Sequence, residues 1–63
     1  MSELNIEEIP GILDSIENRC MMLRILIPMV KHQPEFEKCV ATLLEDNYLD
    51  CQTLVDFCVI KED

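Results

Sequence analysis

Residues 20–30 read Cys-Met-Met-Leu-Arg-Ile-Leu-Ile-Pro-Met-Val and carry a single charge, at Arg24. The rest of the chain is strongly acidic, so this apolar stretch stands apart from it. It is more apolar than an ordinary surface helix. It is too short to cross a bilayer, because a transmembrane helix needs about 20 apolar residues. We therefore expect the remaining segments to pack against this stretch, and we expect no membrane association.

Length and composition predict an all-α fold. The chain has 63 residues, enough for one small domain over 1–63. A chain of this size buries only about 60% of the surface that it exposes when unfolded, so its stability is marginal without a disulfide, a metal or a partner subunit. The sequence is 49% hydrophobic but has one Gly and three aromatic residues. A sheet needs more turns and more aromatic and β-branched residues, which favours helices here.

A repeating apolar pattern predicts the first helix, over about residues 10–32. Apolar residues recur at alternating spacings of four and three, as in a seam between packed helices. The predicted seam consists of Ile9, Leu13, Ile16, Cys20, Leu23, Ile27 and Val30. Pro28 removes a backbone hydrogen bond, so we expect the helix either to kink there or to end near Ile27. Pro34 ends it in either case, because the residue before a proline avoids helical angles.

Two shorter helices are predicted after Pro34, over about residues 34–46 and 50–60. The polar segment Glu45–Tyr48 is typical of a turn, and Asp50 is a favourable N-cap residue. The predicted fold is thus a three-helix arrangement, with one long helix, kinked at Pro28 or not, followed by a helical hairpin. We expect dimerisation to complete it.

A second apolar face on the first helix indicates an interface. A helix that is apolar on all sides is buried on all sides, and two short helices can cover only one of them. We therefore predict a protein-binding surface, with a core covered by the later helices as the alternative. The predicted interface residues are Met21, Met22, Ile25, Met29, Arg24, Phe57 and Ile60.

The four cysteines do not predict a catalytic or metal site. Cys20, Cys39, Cys51 and Cys58 contain no CxxC pair, so the zinc signature is missing. We interpret them as small buried apolar residues in a reducing compartment. Two alternatives stay open, a zinc site that includes the single histidine, His32, and a disulfide from Cys39 to Cys51 or Cys58. We predict no metal, no cofactor and no enzymatic activity, since no nucleophile–base pair or phosphate-binding loop is present.

The charge pattern argues against nucleic acid as a direct ligand. The net charge is −8, but residues 19–34 carry three bases and no acid. Phosphates of nucleic acids and anionic lipids repel such a chain, whereas a basic protein attracts it. The N-terminus is acidic and the apolar run has the wrong flanks, so we expect no signal peptide and a cytoplasmic protein.

These features together predict a small acidic protein that acts by binding another protein, as a regulator, adaptor or inhibitor. We expect it to use a hydrophobic helix face and to form a homodimer. One alternative is a structural subunit or assembly chaperone of a larger complex. A second alternative is an acidic mimic of nucleic acid that blocks a basic surface.

Overall fold

A computed structural model of the chain describes residues 4–59, and this part is helical without a strand. Helix α1 spans Ile9–Val30, and helix α2 spans Glu37–Val59. A short 3-10 helix precedes each of them, at Ile6–Glu8 and Pro34–Phe36. The all-helical fold class is confirmed. The architecture is a hairpin of two long antiparallel helices, however, and not the predicted three-helix arrangement.

Helix α1 continues through Pro28 and ends two residues later. A proline so close to the C-terminus removes only the hydrogen bond to the carbonyl of Arg24, and few helical residues remain to be disturbed. The backbone N–H groups of His32 and Gln33 both donate to the carbonyl oxygen of Met29, at 3.0 and 2.8 Å. The chain then reverses, and Pro34 begins the next 3-10 helix.

The predicted turn at Glu45–Tyr48 is wrong, because α2 runs through it without interruption. The segment contains neither Gly nor Pro, so nothing in it forces the helix to stop. Its polar character has a different cause. Asn47 and Asp50 are polar because they bind the side chain of Arg19 on α1. Asp50 lies inside α2, so the predicted N-cap role is wrong.

The two helices meet along a seam of buried and half-buried side chains with alternating spacings of three and four, as in coiled-coil packing. On α1 the seam comprises Ile9, Ile12, Ile16, Arg19, Leu23, Leu26 and Val30, and on the α2 side it comprises Phe36, Val40, Leu43, Asn47, Asp50, Leu54 and Phe57. The predicted seam of α1 was therefore correct at every second position. Leu13, Cys20 and Ile27, which it also included, are exposed.

Little of this seam is fully enclosed. Among the described residues only Leu23 is buried, with 6% of its surface exposed. Two helices side by side shield each other along one line only, so residues next to that line stay open to solvent. The hairpin thus has a contact line between its helices but almost no core.

Candidate functional site

A polar cluster occupies the middle of the seam. Nη1 of Arg19 donates to Oδ1 of Asn47 at 3.0 Å and to Oδ2 of Asp50 at 2.7 Å. The Arg19 and Asp50 side chains are only 23% and 29% exposed, so this ion pair is partly shielded from water. Nδ2 of Asn47 donates to Sγ of Cys20 at 3.6 Å. The cluster joins the two helices, with Cys20 at one side of the hairpin.

Both helices contribute to an apolar surface on that side, which we call the hairpin face. Its apolar side chains are Leu13, Cys20 and Ile27 on α1 with Leu44, Tyr48, Cys51, Val55 and Cys58 on α2. The three α1 residues each follow a seam residue by one position, which turns them about 100° away from the seam. The five α2 residues follow seam residues of α2 in the same way. Because the helices are antiparallel, the residue that follows a seam residue by one position faces the same side of the hairpin on both helices.

The Asn47–Cys20 hydrogen bond supports this placement, since Asn47 lies between Leu44 and Cys51 along α2. The large side chains of the hairpin face are about half exposed or more, at 50% for Leu13, Ile27 and Val55, 49% for Leu44 and 64% for Tyr48. Cys20 and Cys51 are exposed as well. Each of these side chains therefore offers an open half to a second surface.

A second apolar surface, which we call the methionine face, lies on α1 alone. Met21, Met22 and Ile25 are 58%, 48% and 65% exposed, and with Asn18 they line a shallow depression. Successive turns of one helix bring them together, away from α2. This face lacks the second helix that widens the hairpin face.

The predicted interface residues thus lie in different environments. Met21, Met22, Ile25 and Arg24 are exposed on α1, whereas Met29 is half-buried near the end of that helix. Phe57 is half-buried in the seam on α2, and Ile60 lies outside the described residues. The sequence prediction did not assign the hairpin face to an interface, because it placed Leu13, Cys20 and Ile27 in the packed seam. Residues of the hairpin face can be identified in the sequence because each follows a seam residue by one position. This identification requires that the seam itself be assigned correctly first.

The cysteines are exposed and free, which corrects the prediction that they are buried. The alternative of a disulfide from Cys39 to Cys51 or Cys58 is excluded within one chain. All three lie on α2, where 12 or more intervening steps separate the backbones by about 18 Å or more. A disulfide needs Cα atoms within about 7 Å.

The described residues contain no group of three or more His, Cys, Asp or Glu side chains placed to hold a metal ion. His32 is exposed in the turn after α1. Over the described range, neither helix is long and apolar enough to cross a membrane. Comparison with protein-family models, with curated proteins and with solved structures gave no match to this chain.

Proposed function

We propose that this chain is a small acidic interaction protein that regulates, adapts or inhibits other proteins by binding them, and that it forms a homodimer. The observation that carries the proposal is the contrast in burial among the described residues. Leu23 is the one buried residue between positions 4 and 59, while several large apolar side chains on both helices are about half exposed or more. Monomeric soluble proteins rarely expose large contiguous apolar patches.

The surface area supports a partner subunit. The chain exposes 5163 Å² of accessible surface. A compact protein of this mass exposes about 4,200 Å², so the excess is on the order of 1,000 Å². A specific protein–protein interface buries about 800 Å² on each partner, and obligate homodimers bury more. The excess is thus of the same order as the area that one interface buries on each partner.

The free thiols and the net charge indicate the compartment and the kind of partner that suit this protein. Four free, exposed cysteines suit a reducing compartment such as the cytoplasm. The net charge of −8 favours a basic protein over nucleic acid as a further partner. Binding through apolar and charged surfaces requires no chemistry of the chain's own.

The homodimer is tested by light scattering of the purified protein at micromolar concentration. The proposal expects a monodisperse species of twice the chain mass. A stable monomer at all concentrations would contradict the homodimer. Aggregation that only a second protein prevents would instead favour the subunit or assembly-chaperone alternative. Binding to a basic partner that collapses with added salt would favour the nucleic-acid mimic.

The methionine face is tested separately by Ile25→Glu. A carboxylate in the centre of this face should abolish partner binding if the face is an interface, because burying an unpaired charge is costly. Thr42→Glu adds the same charge at an exposed polar position of α2 and serves as the control. Normal binding by both variants would show that partners do not use the methionine face.

A further inference from the structure

Given the proposed homodimer, on which this inference rests, we propose that a second copy covers the hairpin face, with α1 antiparallel to α1 of the second copy. The twofold axis passes close to Cys20. The methionine face then stays on the outside of a four-helix bundle, open to a different partner. Three features of the described residues support this arrangement.

The apolar residues of the face are spaced symmetrically. Leu13 and Ile27 each lie seven residues from Cys20, which is two helical turns in either direction. Antiparallel pairing about Cys20 therefore sets Leu13 of one copy against Ile27 of the other, twice, and the two Cys20 side chains against each other. All of these side chains have an exposed part that the pairing would bury.

The same axis also suits α2. Leu44 and Cys51 lie symmetrically about the midpoint between Asn47 and Tyr48, so an axis at that level pairs Leu44 of one copy with Cys51 of the other. The Asn47–Cys20 hydrogen bond of 3.6 Å places this midpoint beside Cys20. Leu13, Cys20 and Ile27 on α1 and the pair Leu44 and Cys51 on α2 therefore have their centres of symmetry at one level of the hairpin, and a single twofold axis satisfies both sets. Val55 and Cys58 lie beyond the α2 pair and have no counterpart on the face.

The charges at the edge of the face distinguish antiparallel from parallel pairing. Glu17 and Arg24 lie one helical turn before and after the centre of α1, on the outer border of the hairpin face, and both are exposed. Within the described residues, the ion pair inside one chain is Arg19–Asp50 and involves neither of them. Antiparallel pairing places Glu17 of each copy beside Arg24 of the other, whereas parallel pairing opposes like charges, which is unfavourable.

Cross-linking tests the position of the axis. A variant that keeps only Cys20, with Cys39→Ser, Cys51→Ser and Cys58→Ser, should give a covalent dimer with a short bismaleimide reagent. A variant that keeps only Cys39 is the control, because Cys39 precedes the seam residue Val40 and lies on the other side of the hairpin. The expected result is efficient cross-linking through Cys20 and little through Cys39. Equal or reversed yields would overturn the proposed face.

A charge exchange tests the direction of pairing. Glu17→Arg or Arg24→Glu alone turns two attractive contacts into two repulsive ones and should weaken the dimer about tenfold. The double variant E17R/R24E restores opposite charges and should regain most of the wild-type dissociation constant. If α1 instead packs on α2 of the second copy, the double variant stays weak, and the proposed pairing is wrong.

Light scattering of the wild-type protein, read together with the Cys20 cross-linking result, separates the two proposals. A wild-type dimer whose Cys20 residues do not cross-link would refute the hairpin-face arrangement and leave the homodimer intact. A wild-type protein that is monomeric throughout would refute both.

Discussion

At the scale of single residues, Arg19 decides how the helices meet. The spacing of apolar residues placed its neighbour Cys20 in the predicted seam, since a charged residue does not enter an apolar pattern. The structure reverses the two, because Asn47 and Asp50 on α2 supply acceptors at 3.0 and 2.7 Å. Sequence spacing within α1 gives no sign of partners that lie 28 and 31 residues further along the chain.

Arg19→Ala is expected to destabilise the protein by about 1–3 kcal/mol, because it leaves a partly buried carboxylate and amide without their donor. Urea unfolding followed by circular dichroism measures this loss. Gln52→Ala is the matched control, since it removes an exposed hydrogen bond to Asp56 at 3.2 Å and should change the free energy of unfolding by less than about 0.5 kcal/mol. Equal effects of the two substitutions would mean that the Arg19 cluster does not stabilise the fold.

At the scale of helices, the sequence predicted where α1 lies but only half of its seam. Ile9, Ile16, Leu23 and Val30 were assigned correctly. The intervening position had two candidates in each heptad: Ile12 or Leu13, Arg19 or Cys20, and Leu26 or Ile27. Two of these pairs are apolar at both positions, so hydrophobicity does not decide between them. The position of the second helix decides it, and that is not a property of the first helix.

The second helix shows how buried polar residues resemble a turn in sequence. Asp46, Asn47 and Asp50 have low helix propensity, and they were interpreted as the end of one helix and the start of another. In the structure they are all half-buried within one helix. Propensity describes an isolated segment, and tertiary contacts outweigh it here.

Glu45→Pro tests the continuity of α2. Glu45 is exposed in the middle of the helix, so proline there removes an internal hydrogen bond and should cost about 3 kcal/mol or more. A loss of helical signal at 222 nm and of thermal stability is expected. Glu45→Ala keeps the helix and should leave both nearly unchanged. If proline is tolerated as well as alanine, the segment is a turn in solution.

At the scale of the whole molecule, composition predicted more than spacing did. The all-α class and an excess of apolar surface both followed from the sequence, since few turn residues and an apolar helix surface require only counting and periodicity. The sequence did not predict which side of the hairpin carries the exposed apolar surface. Once the predicted second and third helices join into one, less chain is available to cover α1, and a face built from both helices is left open.

The excess surface predicts that stability depends on protein concentration. For a chain that folds as a dimer, a tenfold rise in concentration adds about 1.4 kcal/mol of stability per dimer and should raise the melting temperature by several degrees. Circular dichroism melts over a concentration series measure this shift.

Leu44→Glu should remove that dependence by placing a charge in the hairpin face, and Thr42→Glu should preserve it. A wild-type melting temperature that does not vary with concentration would contradict coupled folding and association.

The polar cluster has a consequence for alignment errors between the helices. A seam repeated every seven residues accepts, in principle, a slide of one helix by one repeat. Such a slide places Arg19 beside apolar seam residues of α2, either Val40 and Leu43 or Leu54 and Phe57. These side chains offer no hydrogen-bond acceptor, so the charge of the guanidinium would be partly buried without a partner. The correct alignment is thereby favoured over its neighbours, even at some expense in stability. Replacing Arg19, Asn47 and Asp50 together by leucine should yield a more stable hairpin that occupies several alignments, visible as multiple sets of amide resonances, whereas a single set would show that the turn alone fixes the pairing.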